Sequence, residues 1–188
     1  MTAAKDDLDF TGHFNPDYTV PEPRPSEVEL KHIDDLGVIG ESKLKSSGFY
    51  VRMVSAAPSG GPRVPTECTV LVVEDEDGTA FMIEKVLGKA GYHTRRARNR
   101  AEISAGLSAK PMPDVILLDV MLPDVNGFYV LNRIRHHAAV KHIPVLMLTW
   151  LSERGDIAKG LMHGADGYLT KPALPSTLLD AVQAIIEG

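Results

Sequence analysis

Four apolar runs of this 188-residue chain end at side chains that could do phosphoryl or metal chemistry. A carboxylate buried beside so apolar a run is unfavourable unless its charge is paired or used. The side chains in question are three carboxylates, one hydroxyl and one ammonium group: Glu74, Asp75, Asp119, Thr149 and Lys171. The set therefore contains oxygen ligands for a hard cation and hydrogen-bond donors for an anion.

Three carboxylates in one pocket would repel each other and raise the pKa of at least one of them. A divalent cation relieves that repulsion, and Mg2+ suits a site made of few carboxylates and several waters. With a lysine and a threonine beside it, such a site can receive a phosphoryl group. Asp119 is then either a third metal ligand or the nucleophile that forms an aspartyl phosphate.

Each of these residues also has a structural explanation when it is taken alone. An acidic residue after a strand often caps the next helix. An isolated lysine is usually a solvated surface charge, and a threonine at a strand end commonly bonds to the backbone. The occurrence of all of them at four separate strand ends favours the functional interpretation.

The elements that must position these residues alternate strictly from residue 68 onward. Apolar runs predict five strands, at 69–73, 92–97, 114–118, 144–149 and 167–170, and helical stripes predict five helices, near 82–90, 101–109, 128–134, 157–165 and 178–186. Continuous apolar strands separated by helices predict an α/β fold with a doubly wound, five-stranded parallel sheet. Ligands of such sheets bind at the carboxyl ends of the strands, where all the residues above are expected.

Residues 1–66 differ from the rest of the chain and are expected to form a largely irregular N-terminal extension. Residues 20–25 are proline-rich, and residues 55–66 have the composition of a linker. A helix is possible at 26–37 and a short strand at 48–54, but two such elements cannot bury a core. We expect a mostly disordered segment, with a docking segment as the alternative, followed by one domain at 67–188.

Composition excludes several classes of protein. The single cysteine, Cys68, cannot form an intramolecular disulfide, which favours a reducing cytoplasm. The N-terminus has no signal-peptide pattern, and no run approaches the ~18 apolar residues of a membrane span. The net charge of −5 argues against nucleic acid as a partner.

Residues 68–188 resemble the receiver domain of bacterial response regulators in two-component signalling, a flavodoxin-like fold. Four segments carry the resemblance: VLVVEDED, DVILLDVMLPDVNGF, VLMLT and GADGYLTKP. It implies that Asp119 is phosphorylated. It also implies that Glu74 and Asp75 hold Mg2+, with help from Asp119 and the backbone carbonyl of Met121.

The resemblance also implies how the phosphoryl group would be sensed. Lys171 would pair with the phosphoryl oxygens, across a Lys171–Pro172 peptide bond that is commonly cis in the family. Thr149 would hydrogen-bond the phosphoryl group, and Tyr168 would change rotamer as Thr149 moves.

The implied function is a signalling switch, catalysing only its own phosphorylation and dephosphorylation. The donor would be a histidine kinase or a histidine phosphotransfer protein. A downstream protein would read the face made by the fourth helix, fifth strand and fifth helix, and phosphorylation could drive homodimerisation. Because the sequence stops after the fifth helix, we expect output by protein binding without a DNA-binding domain; a phosphorelay intermediate or phosphate sink is the alternative.

Two features depart from the family pattern or lie outside it. Trp150 stands where the family usually has a small residue, and it could cover the pocket and slow the access of donor or water. The basic cluster at 95–100, RRARNR, is interpreted as solvated charge on an edge strand and its loop.

Three rival functions fit the residues less well. A phosphohydrolase of the haloacid dehalogenase class would have an acidic residue two positions after its nucleophile, where this chain has Met121. A flavodoxin-like cofactor binder would need a phosphate loop after the first strand, where the acidic run would repel a phosphate. A purely structural receiver-like scaffold should lack Asp119 or Lys171.

Overall fold

The computed structural model describes residues 49–51, 64–150, 160 and 162–187. Within these ranges the chain forms a six-stranded sheet with four α-helices and a 3-10 turn at Pro65–Glu67. The candidate helix at 26–37 lies outside the described residues, and so do positions 157–159 and 161 of the predicted helix near 157–165.

Five of the six strands form the parallel sheet that the sequence predicts. In chain order the strands are β1 Phe49–Val51, β2 Thr69–Val73, β3 His93–Ala97, β4 Val115–Leu118, β5 Val145–Thr149 and β6 Gly167–Thr170. Their order across the sheet is β1-β6-β5-β4-β2-β3, and every pair among β2 to β6 is parallel. The predicted doubly wound parallel sheet is therefore confirmed.

The helices follow the strands and begin close to the carboxyl edge of the sheet. They are α1 Asp77–Lys89, α2 Arg100–Ser108, α3 Gly127–His136 and α4 Pro175–Glu187. The first three begin at side chains that accept hydrogen bonds from first-turn N–H groups, namely Glu76, Asn99 and Asn126. No helix among the residues described is both long and apolar enough to cross a membrane.

Apolar side chains pack on both faces of the sheet, which explains the continuous apolar runs of its central strands. Successive strand residues point to opposite faces. Leu71 belongs to the cluster that includes Leu131 of α3, whereas Val72 belongs to the cluster that includes Leu87 of α1 and Val182 of α4. Strands held from both sides have fixed ends, so the residues that follow them are held in place as well.

The strand order reverses between β2 and β4. β2 has β3 on one side and β4 on the other, and Val73 lies level with Leu118. The next residues, Glu74 and Asp119, therefore leave the sheet side by side. The Asp119 N–H continues the ladder by donating to the Val73 carbonyl at 3.0 Å.

β1 is an addition to the predicted sheet and belongs to the N-terminal extension. It pairs antiparallel with β6, with Tyr50 opposite Tyr168. The sequence predicts a short strand at 48–54 but gives no partner for it, because pairing depends on which edge of the folded sheet is free.

Candidate functional site

Lys171 joins two acidic residues that come from distant parts of the chain. Its Nζ donates to Glu74 Oε2 at 2.5 Å and to Asp119 Oδ2 at 2.7 Å. All three residues are almost fully buried, with 2% exposure for Glu74, 4% for Asp119 and 8% for Lys171. A lysine that closes a buried pair of carboxylates is not the solvated surface charge that its sequence position alone would suggest.

Asp75 completes an acidic cluster that is buried on one side and open on the other. Each of Glu74, Asp75 and Asp119 offers a carboxylate oxygen within 4.8 Å of the other two, and Asp75 is exposed. Oxygen ligands with an open side suit Mg2+, which keeps several waters when it binds to proteins. These three residues therefore fit a magnesium ion, as the sequence analysis predicts.

The carboxylates of the cluster outnumber the ammonium group that pairs with them. Burial raises the pKa of the Glu74 carboxyl, and the nearby Asp119 carboxylate also raises it, although the hydrogen bond and charge of Lys171 act in the opposite direction. The Lys171 ammonium pairs with the two buried carboxylates, and the exposed Asp75 adds a third negative charge beside them. A divalent cation would remove that imbalance, which supports the same assignment.

The acidic residues that follow β2 have different roles. Glu74 and Asp75 belong to the cluster, whereas Glu76 caps α1 by accepting from the N–H groups of Gly78 and Thr79. Those bonds lower the pKa of Glu76. The helix-cap interpretation of this run therefore holds for one residue, and it does not compete with the metal-site interpretation of the other two.

Gly127 allows α3 to start directly against the backbone of Asp119. A Cβ at this position would lie 2.2 Å from the Asp119 carbonyl oxygen and 2.7 Å from Val120 Cα. The Gly127 N–H donates to the Val120 carbonyl at 2.9 Å, and the Met121 N–H donates to Asp119 Oδ1 at 3.2 Å. The glycine eight positions after the acidic residue is thus explained by close backbone packing around Asp119.

Thr149 and Tyr168 are both completely buried. Thr149 ends β5, and its carbonyl accepts from the Lys171 N–H at 2.8 Å, which links the strand end to the lysine of the cluster. The Tyr168 ring lies so close to Gly160 that a Cβ there would be 2.8 Å from Tyr168 Cδ2. The Lys171–Pro172 peptide bond is cis, as the resemblance implies.

Met121 and Trp150 are exposed at the same edge of the sheet. Their exposed fractions are both 60%. Met121 comes two positions after Asp119, beyond the end of β4, and Trp150 directly follows Thr149, the last residue of β5. The roles predicted for the Met121 carbonyl as a metal ligand and for Trp150 as a pocket cover remain predictions.

Sequence reasoning missed Arg96, which hydrogen-bonds the acidic loop. Arg96 donates to the backbone carbonyls of Glu74 and Asp75, at 3.0 and 2.9 Å. Arg95 donates to the Gly106 carbonyl at 2.8 Å. The interpretation of this basic cluster as solvated charge is therefore wrong for both arginines. The one available signal was their place on β3, the strand beside β2.

A comparison with protein families gives one match that covers most of the described structure. The model for the response regulator receiver domain matches residues 70–183. The match begins in β2 and ends in α4, so it includes every residue of the acidic cluster together with Thr149, Tyr168 and Lys171.

Curated relatives and a solved structure show the same similarity. The chain is 38% identical over 117 residues to the DNA-binding dual master transcriptional regulator RpaA of Synechocystis, covering 62% of this chain and 48% of that protein. It is 31% identical over 119 residues to the protein PilH of Pseudomonas aeruginosa, covering 63% and 98%. The chemotaxis response regulator CheY4 of Vibrio cholerae superimposes with a TM-score of 0.58 at 33% identity, covering 63% and 98%.

The lengths of these relatives differ. The chain spans about half the length of RpaA and nearly all of PilH. Each of the two matches covers about three fifths of this chain. With the family model matched over residues 70–183, more than half of its length, the chain belongs to the response regulator receiver domain family of two-component signalling.

Proposed function

We propose that this protein is a phosphorylation-activated switch in which Asp119 accepts a phosphoryl group from a histidine kinase or a histidine phosphotransfer protein. The observation that carries the proposal is the buried Lys171 ammonium held between Glu74 and Asp119, with Asp75 open to solvent beside them. This arrangement would bring a nucleophile, a cation site and a phosphate-binding ammonium together at the carboxyl edge of the sheet.

Asp119 would act as the nucleophile. One of its carboxylate oxygens forms a bond to phosphorus while the bond from phosphorus to the donor imidazole nitrogen breaks, and the imidazole leaves with the electron pair of that bond. Lys171 already contacts Asp119 Oδ2, so it can bind an oxygen of the transferred group with a small movement. Mg2+ held by Glu74, Asp75, Asp119 and the Met121 carbonyl would stabilise negative charge on the phosphoryl oxygens.

The switch would follow from the charge that phosphorylation adds next to buried groups. An acyl phosphate brings roughly one to two additional negative charges at neutral pH. Thr149 would move to hydrogen-bond the new oxygens. Tyr168 lies on β6, the strand beside that of Thr149, and packs against Gly160; it would change rotamer in response. The surface around β6 and α4 would be repacked and read by a partner. Hydrolysis of the acyl phosphate by the domain itself would reset the switch.

The output that we propose is protein binding. The relatives include a regulator that is DNA-binding by name, RpaA, and one of receiver length, PilH, so family membership leaves the output open. The acidic net charge of this chain favours a protein partner over nucleic acid. The second candidate is a phosphorelay intermediate or phosphate sink, which would use the same Asp119 chemistry without a binding partner for output.

For the extension at 1–66 we propose a docking role in place of a purely disordered one. Its support is β1, which pairs with the edge of β6 directly beside Tyr168. Backbone pairing on a free sheet edge is a common mode of docking. The extension would therefore touch the strand whose surroundings change on phosphorylation.

The test is a phosphotransfer profile against the histidine kinases and phosphotransfer proteins of the host. We expect one or a few donors to label the protein rapidly in the presence of Mg2+, and removal of residues 1–60 to leave the labelling site intact. Transfer of the label onward to a second phosphotransfer protein would favour the relay. Labelling by no donor would contradict the proposed function.

A further inference from the structure

We propose that Arg96 is a positioning residue that holds the acidic loop in the geometry needed for cation binding. The inference rests on the proposed function, because it assigns Arg96 to the same magnesium site. Arg96 lies on β3, level with Val72 of β2, and its side chain is 15% exposed.

The guanidinium makes two hydrogen bonds to the loop after β2 and a third to Asp77, the first residue of α1. Nε donates to the Glu74 carbonyl at 3.0 Å, Nη2 to the Asp75 carbonyl at 2.9 Å and Nη1 to Asp77 Oδ1 at 2.6 Å. The first two acceptors are the backbone carbonyls of the two residues that would supply metal ligands from this loop. Arg96 therefore hydrogen-bonds the backbone of both ligand residues and does not occupy their carboxylate groups, which can bind the cation.

The planar fork of an arginine fixes the distance and direction between two acceptors, which an ammonium cannot do. The same loop is tied to β3 by the Glu74 N–H, which donates to the Ala97 carbonyl at 2.9 Å. Glu74 is also held within the loop, because its Oε1 accepts from the Glu76 N–H at 3.3 Å. With these contacts the loop is ordered before a cation arrives, so less conformational entropy is lost on binding.

The contribution of Arg96 differs from that of a nearby positive charge. Charge alone would oppose cation binding, so its removal should strengthen binding slightly. Arg98 supplies the matched control, because its Nη2 lies 3.5 Å from the same Asp77 Oδ1 and its side chain is 54% exposed. Arg98→Ala removes the same charge near the loop while all three Arg96 bonds remain.

The test is the affinity for Mn2+, used as the probe cation and measured on the full chain by electron paramagnetic resonance of the free ion. We expect Arg96→Ala to raise the dissociation constant about tenfold, the lower end of what loss of a supporting contact costs a metal site. Arg98→Ala should stay within about twofold of the wild type, because an exposed charge interacts weakly. Arg96→Lys should recover part of the loss.

A second measurement separates positioning from general damage. The rate of labelling by acetyl phosphate in Arg96→Ala should rise toward the wild-type plateau as Mg2+ is increased, since the defect lies in cation binding. If Arg96→Ala does not fold, Arg96→Lys carries the test. Its dissociation constant for Mn2+ should lie above those of the wild type and Arg98→Ala and less than tenfold above that of the wild type.

The outcomes distinguish the two proposals. Equal affinities for Arg96→Ala, Arg98→Ala and wild type would overturn the positioning role and leave the metal site in place. A lowered labelling plateau at saturating Mg2+ would also overturn it. Failure of the wild type itself to bind Mn2+ would overturn the proposed metal site, and the role of Arg96 with it.

Discussion

Replacing Lys171 by methionine should destabilise the domain strongly when no divalent cation is present. The substitution keeps the length and most of the volume of the side chain, so packing changes little. It removes the ammonium that lies 2.5 Å from Glu74 and 2.7 Å from Asp119, two carboxylates that are only 2% and 4% exposed. The two carboxylates would then face each other in the folded state without a counter-charge.

The expected loss is about 3–5 kcal/mol in the free energy of unfolding, the usual result when one partner of a buried ion pair is removed. For a domain of this size that corresponds to a fall of roughly 10–20 °C in melting temperature. Mg2+ should reduce the difference between variant and wild type, because it binds only the folded protein and replaces the missing positive charge.

The assay is thermal and urea unfolding in EDTA and again in excess Mg2+. Lys141→Met, at an exposed lysine, is the matched control and should change stability by no more than about 0.5 kcal/mol. The double variant Lys171→Met with Glu74→Gln should recover a large part of the loss, because it removes one of the two uncompensated charges. A loss below about 1 kcal/mol in EDTA, or a loss that Mg2+ leaves unchanged, would refute the view that Lys171 holds a buried acidic pair together.

Three further predictions concern the packing and the edges of the site. Gly127→Ala should destabilise the domain by about 1–3 kcal/mol and slow phosphorylation, because its Cβ would meet the Asp119 carbonyl oxygen at 2.2 Å. Gly88→Ala, in the open on α1, should instead stabilise by about 0.5–1 kcal/mol, and equal denaturation midpoints for the two variants would refute the packing argument. Trp150→Ala should leave stability unchanged and speed the loss of the phosphoryl group several-fold, and decay rates equal to the wild type would contradict its role as a cover. Deletion of residues 1–60 should leave the domain folded and change its free energy of unfolding by no more than about 1 kcal/mol. The hydrogen bonds of a three-residue strand contribute little more free energy than the ordering of that strand costs. A large fall in melting temperature would contradict this.

The fold and the carboxylates of the site were predictable because local patterns determine them. Apolar runs buried on both faces identify parallel strands, and the residue after each run must lie at the carboxyl edge. Glu74 and Asp119 could therefore be assigned to one edge although 45 positions separate them in the chain. Their side-by-side placement needs only that β2 and β4 are neighbours.

The contacts between side chains of different elements were not predictable in the same way. Arg96 looks like part of a solvated basic cluster because its partners, the carbonyls of Glu74 and Asp75, are backbone groups that every sequence contains. The pairing of β1 with β6 depends on which sheet edge remains free after folding, and three residues carry too weak a pattern to specify a partner.

The measurement that tests the central claim most directly is phosphorylation by acetyl phosphate and Mg2+, followed by intact-mass analysis of wild type and Asp119→Asn. The substitution keeps the shape of the side chain and the hydrogen bond from the Met121 N–H, and it removes the nucleophilic charge. We expect one phosphoryl group on the wild type, none on Asp119→Asn, and none on the wild type in EDTA. Labelling of Asp119→Asn to the wild-type extent would place the acceptor elsewhere and contradict the account.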